Sequence, residues 1–113
     1  MKSKIIALSK NEEFKNLLKQ NKISNKYVTI YFGKIINKNK KKLNISFVTK
    51  RKIGNAVKRN KIKRRLRNIV NDAVKNIALK FDYSYLVIAK PTMLNKEYTI
   101  IKETLFRDFE RIK

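Results

Sequence analysis

The sequence predicts an α+β sandwich: one small sheet, helices packed on it, and part of the sheet left open. Three observations predict it. Residues 26–36 hold a run of β-branched and aromatic side chains, Tyr27-Val28-Thr29-Ile30-Tyr31-Phe32. Residues 56–79 repeat apolar side chains at helical spacing, namely Ile62, Leu66, Ile69, Ala73 and Ile77, with Val70 beside them. Tyr85-Leu86-Val87-Ile88-Ala89 is short and almost wholly apolar, the pattern of a strand covered on both faces.

The elements follow in order. Ser9 or Asn11 caps a first helix, with Glu12 and Glu13 in its first turn, where the helix dipole favours negative charge. Phe14, Leu17 and Leu18 then form one apolar stripe at i, i+3, i+4. Residues 21–25 read as a loop. In the strand over 26–36, alternation puts Val28, Ile30 and Phe32 on one face and Tyr27, Thr29 and Tyr31 on the other. Residues 37–42, with four lysines, read as a solvated hairpin loop. That makes 43–49 the return strand, with Ile45 and Phe47 on one face. Gly54 breaks the pattern, and a long helix runs from about Ala56 to about Leu79. The apolar strand that closes residues 81–89 is ended by Lys90-Pro91-Thr92. A last amphipathic helix over 94–112 aligns Tyr98, Ile101, Leu105, Phe109 and Ile112. The order is α-β-β-α-β-α, with room for a short extra strand at 50–52. With 113 residues, no internal repeat and no linker, a single domain over 1–113 is expected.

Charge points to function. The net charge is +22, and between Glu13 and Asp72 the chain has nineteen Lys or Arg and no acid. Ten of these cations fall within residues 50–67. A folded surface of one sign calls for a partner of the other, and RNA or DNA phosphate fits best. Self-repulsion should leave the free protein marginal at low salt, to be tightened by anions. A hydrophobic content of 42% is nonetheless enough for a small core.

Cys and His are absent, which removes disulfides, zinc fingers, thiol or imidazole nucleophiles and imidazole bases together. The lack of Cys fits a reducing, cytoplasmic setting. No apolar run approaches the ~18 residues that span a bilayer. The opening Met1-Lys2-Ser3-Lys4-Ile5-Ile6-Ala7-Leu8 starts like a signal peptide, but Ser9-Lys10-Asn11-Glu12 cuts the apolar stretch short.

On a wheel of ~100° per residue, Arg59, Lys63 and Arg67 form one row of the long helix and Asn60 and Arg64 a second beside it. Lys58, Lys61 and Arg65 lie on the other flank. Like charges at i, i+4 are mildly destabilising, so stacked rows of them point to a compensating anion. An ordinary solvated helix face mixes signs, and this one does not. Gly54 allows an abrupt helix start, and the amide groups near Ala56 suit a phosphate.

The stretch Lys52-Ile53-Gly54-Asn55-Ala56-Val57-Lys58-Arg59-Asn60-Lys61-Ile62-Lys63-Arg64-Arg65-Leu66-Arg67 closely resembles the basic signature of the bacterial ribonuclease P protein component, K-x-G-x-A-V-x-R-N-x-x-K-R-x-x-R. The resemblance extends to Asn11-Glu12-Glu13-Phe14, to Tyr31 in the first strand, to Ile88-Ala89-Lys90-Pro91 and to the closing helix, and so covers nearly the whole chain. It implies an α-β-β-β-α-β-α sandwich with a small mixed sheet and a left-handed crossover, like ribosomal protein S5 domain 2.

The resemblance also implies a role. The protein would bind the catalytic ribonuclease P RNA and the 5′ leader of precursor tRNA, and assist endonucleolytic removal of that leader. Catalysis would lie with the RNA and its Mg²⁺, with no cofactor on the protein and one protein per RNA. Carried over by position, the RNA-facing residues are Lys52, Gly54, Ala56, Arg59, Asn60, Lys63, Arg64 and Arg67. The leader cleft takes Phe14, Thr29 and Tyr31, since aromatic faces stack on unpaired bases with little sequence preference. Core packing is the other role open to Phe14. The chain departs from the family at Leu18, where a second aromatic is common, and at Thr29, which is often aliphatic.

Three other readings compete. A protein nuclease would need grouped carboxylates or a His, and none of the eight acids lies in the basic core. A ribosomal or other structural RNA-binding protein shares the charge but not the sixteen-residue signature. Major-groove DNA reading fits poorly with a broad, Lys-bearing face and no preceding helix-turn-helix partner.

Overall fold

The computed structural model describes residues 5–6, 15, 17–34, 43–77, 79 and 83–112. It contains strands β1 (Ile5–Ile6), β2 (Asn21–Ser24), β3 (Val28–Lys34), β4 (Leu43–Val48) and β5 (Tyr83–Ala89). Helix α1 (Ala56–Asn76) lies between β4 and β5, and helix α2 (Tyr98–Arg111) follows β5. Lys15, Leu17 and Leu18 are also helical. Short 3-10 turns occupy Arg51–Ile53 and Pro91–Leu94.

The strands form one mixed sheet in the order β1-β4-β5-β3-β2. The expected hairpin between β3 and β4 is therefore not formed. β5 lies between them, antiparallel to β3 and parallel to β4. The cause is the two-sided apolarity of β5: a strand whose faces both need cover is best placed at the centre of a sheet. The connection from β4 to its parallel neighbour β5 runs through α1. The residues assigned to the hairpin loop, 37–42, lie outside the described residues.

Residues 21–25, read as a loop, instead supply β2, which pairs antiparallel with β3 from Asn21↔Phe32 to Ser24↔Thr29. β2 lies at the sheet's edge and holds one apolar residue, half-buried Ile23. An edge strand of that kind carries little alternation to read. The strands not read from the sequence, β1 and β2, therefore come before β3, and Arg51–Ile53, which overlaps the 50–52 stretch where an extra strand was expected, is a 3-10 turn that buries Ile53. Smaller differences are at element ends. α1 stops at Asn76, with Ile77 already extended, and β5 starts two residues early, at Tyr83. Pro91 makes residues 91–94 a 3-10 turn, so α2 starts only at Tyr98.

One face of the sheet is the core. Val28, Ile30 and Phe32 of β3, Leu43 and Ile45 of β4, and Tyr83, Tyr85, Val87 and Ala89 of β5 are buried there. Against them pack Ile62, Leu66, Ile69 and Val70 of α1 and Ile101, Leu105 and Phe109 of α2. Full burial of each such side chain stabilises by ~1.5–3 kcal/mol before entropy is counted. Tyr27, assigned to the opposite face, also joins this core because β3 begins only at Val28. The hairpin tip before it is tied down by polar contacts. Asn25 Oδ1 accepts from the Tyr27 and Val28 amides at 2.7 and 3.0 Å. Asn25 Nδ2 donates to buried Asp108 on α2 at 2.7 Å.

The other face is covered in part. Leu17, 5% exposed, packs on Leu86, with Tyr31, Val48 and Ile88 around them. Leu18 turns outward and is 48% exposed.

Candidate nucleic-acid interface

Local backbone chemistry fixes where α1 begins. Gly54 has φ +144° and ψ −158°, a region open to glycine alone. A Cβ there would also lie 2.8 Å from Lys58 Cδ. Asn55 follows as the N-cap, its Oδ1 accepting from the Lys58 amide at 3.0 Å. Asn directly before a helical run is the usual sequence signal of such a cap.

From that start, the buried stripe of α1 aims the cations outward. Ile62, Leu66, Ile69, Val70 and Ala73 face the core. Asn60, Lys63, Arg64 and Arg67 are exposed on the opposite side and, with Val57, line an open groove of about 560 Å³. Four of the eight expected RNA-facing residues thus meet in one place. Arg59 is half-buried and outside the groove lining, exposed Lys52 sits in the preceding 3-10 turn, and Gly54 and Ala56 shape the helix start. Val57, a fixed position of the signature but not among the expected RNA-facing residues, is 75% exposed and lines the same groove.

Arg65 belongs elsewhere. Its guanidinium is turned to the carbonyl oxygens of Met93 and Lys96, at 3.2 and 3.4 Å. Among the described residues, the acids in ion pairs are Asp72, 2.9 Å from Lys102, and Asp108, 3.7 Å from Arg111. No ion pair among the described residues reaches the cations of 50–67, so their field is left to solvent or a partner. No group of three metal-ligating side chains occurs among the described residues.

A second surface lies on the half-covered sheet face. Residues directly opposite across strands share a face. Tyr31 therefore stands beside Lys22 and Leu86, and Thr29 beside Ser24 and Ile88. Thr29 and Tyr31 are half-buried, and Leu17 packs over this face. Ser24 and Thr29 hydroxyls are 3.3 Å apart, and Lys90 Nζ donates to Ser24 Oγ at 2.8 Å and to the Asn25 carbonyl at 2.5 Å. Lys22, opposite Tyr31, and Lys90, bonded to Ser24, thus give this face a basic margin. Phe14, the third expected cleft residue, lies outside the described residues. Among those residues, no helix is long and apolar enough to cross a membrane.

The fold and this surface define a class: small mixed-sheet α+β proteins that present a strongly basic helix beside a half-open sheet face. Comparison with known proteins narrows it. The Ribonuclease P family profile matches residues 3–113. The ribonuclease P protein component of Carboxydothermus hydrogenoformans is 35% identical over 102 residues, covering 87% of this chain and 83% of that protein. That of Mesoplasma florum is 35% identical over 99 residues, covering 87% and 86%. The solved structure of the RNase P protein from Thermotoga maritima superimposes with a TM-score of 0.80 at 25% identity, covering 96% of this chain and 98% of that one. The chain belongs to the ribonuclease P protein family. Membership implies a role in the ribonuclease P holoenzyme and in tRNA processing.

Proposed function

We propose that this protein binds the catalytic RNA of ribonuclease P through the exposed face of α1 and the 5′ leader of precursor tRNA through the half-open sheet face. The observation that carries the reading is the groove of Asn60, Lys63, Arg64 and Arg67, whose cations have no acidic partner among the described residues. Arg and Lys there contact phosphate, with Lys52 and Arg59 extending the surface and Gly54 and Ala56 setting the helix start. Asn60 offers both a donor and an acceptor.

On the sheet face, Tyr31 stacks on an unpaired leader base and Thr29 supplies a hydroxyl. Lys22 and Lys90 attract the backbone, and family resemblance makes Phe14 a further candidate contact to the leader. The protein then acts in two ways. It screens repulsion between catalytic RNA and substrate, and it favours precursor over mature tRNA because only the precursor has a leader to hold. The cut that frees the mature 5′ end is made by the RNA, whose Mg²⁺ ions sit among its own phosphates; the protein, one copy per RNA in the cytoplasm, brings no cofactor.

The test is precursor-tRNA cleavage at low Mg²⁺ by a bacterial ribonuclease P RNA with the protein, without it, and by the protein alone. Strong stimulation with no cleavage by the protein alone is expected. Tight RNA binding without stimulation would instead make this a structural RNA-binding protein.

A further inference from the structure

Val57 sits at the second position of α1, in a row with Asn60, Arg64 and Arg67 at i+3, i+7 and i+10. It is 75% exposed, and it lines the same groove as those residues and Lys63. Single exposed apolar residues are common on protein surfaces. This one differs in what surrounds it: the other four residues of the groove are an amide and three cations.

A β-branched residue at an exposed helix position adds nothing to helix propensity relative to Ala, Lys or Arg. Its methyl groups also offer nothing to the phosphates and 2′-hydroxyls that line an RNA duplex. They do complement the flat, apolar face of an unpaired base or the carbon face of its ribose. Asn60, one helical turn away, carries the donor and acceptor that a base edge requires, and Lys63, Arg64 and Arg67 suit the phosphates on either side.

We infer that this groove seats one unstacked nucleotide of the partner RNA, its base face on Val57 and its edge read by Asn60. The inference rests on the proposed RNA-binding role of α1 and goes beyond it, because phosphate contact alone needs no apolar seat. Val57 is then a specificity element within an otherwise electrostatic surface.

Two predictions separate this from pure phosphate binding. Val57→Ser removes the apolar seat without touching charge, and should weaken binding to a bacterial ribonuclease P RNA by about ten-fold, the size expected for losing a buried Val contact. The slope of log Kd against log salt should stay at its wild-type value, since no phosphate contact is lost. Val57→Ile should bind as well as wild type and shows that the position tolerates change.

The decisive readout is base-specific chemical probing of the RNA. At least one unpaired base should be protected by wild type and by Val57→Ile, and should regain reactivity with Val57→Ser while the rest of the footprint persists. If wild type binds and Val57→Ser gives the same affinity and the same footprint, the groove holds backbone only and the inference is overturned. If wild type itself fails to bind the RNA, the proposed function fails first, and with it this reading.

Discussion

Arg65 Nη1 donates to the carbonyl oxygen of Met93 at 3.2 Å, so one cation in the middle of the basic stretch is a structural tie between α1 and the turn after β5. A second, longer contact reaches the Lys96 carbonyl. Hydrogen bonds from a charged donor contribute more than neutral ones, and Arg65 is half-buried. Arg65→Ala should therefore lower folding stability by about 1–3 kcal/mol. Denaturant unfolding at fixed salt measures it. The salt slope of RNA binding should be unchanged, which sets this arginine apart from its neighbours.

Arg64 and Arg67 should behave the opposite way. Both are exposed in the groove, with no acidic partner among the described residues. Replacing either by Ala should alter stability by no more than about 0.5 kcal/mol. It should weaken association with the catalytic RNA and reduce the salt slope by about one unit per lost phosphate contact. Titrations at several salt concentrations give both quantities. An affinity loss with an unreduced slope would place the lost contact on a base instead of a phosphate.

Lys102 of α2 lies 2.9 Å from Asp72 of α1. That hydrogen bond raises the Lys102 pKa above its ordinary value, and burial is the main cause of a raised value at Tyr98, followed by the Asp72 charge. Both groups hold their proton more tightly folded than unfolded. Their contribution is complete below the unfolded values, near pH 10, and is lost as pH rises through the folded ones. Other lysines also titrate there, so the measurement is a comparison. Wild type should lose more stability than Lys102→Met between about pH 9 and 12, and the two should run parallel below that range.

The parts of this fold that show in the sequence are those whose packing is periodic. Ile62, Leu66, Ile69 and Ala73 mark the core face of α1 because a single stripe faces a single surface. The apolarity of 85–89 likewise announces a strand covered on both sides. Its consequence, that β5 separates β3 from β4, is a matter of pairing across the chain, and default adjacency in sequence gives the wrong neighbour. β2 leaves almost no pattern, because three of its four residues are exposed at an edge. The site divides in the same manner. Charge and spacing place Asn60, Lys63, Arg64 and Arg67 on one face. Spacing also sets Arg65 on the other flank, but it cannot show that this arginine is a structural tie, since its partner carbonyl is 28 residues away. Val57 falls outside the apolar stripe of α1, so spacing takes it off the core but assigns it no role on the charged face.

Gly54 tests whether the position of α1 matters apart from its charges. Its φ of +144° is closed to residues with a Cβ. Lys58 is flexible and can give way, but the backbone strain remains. Gly54→Ala should cost about 1–3 kcal/mol of stability. Circular dichroism melting measures the cost, and a loss below about 0.5 kcal/mol would mean that the turn relaxes into an ordinary conformation.

Tyr31 tests the division of labour between the two surfaces. It packs with Leu17 and Leu86 on the half-covered sheet face, away from the groove on α1. Tyr31→Ala should weaken precursor-tRNA binding by the holoenzyme by about 1–3 kcal/mol, the range for losing one stacked base. Affinity for mature tRNA, which has no leader, should be unchanged, as should assembly with the catalytic RNA. Because Tyr31 also supports packing, Tyr31→Phe is the necessary companion: it keeps the ring and should retain precursor affinity. Binding of precursor and mature tRNA to holoenzymes built from each variant gives the comparison. A Tyr31→Ala protein that loses assembly but keeps precursor preference would show that this face meets the catalytic RNA and that the leader is held elsewhere.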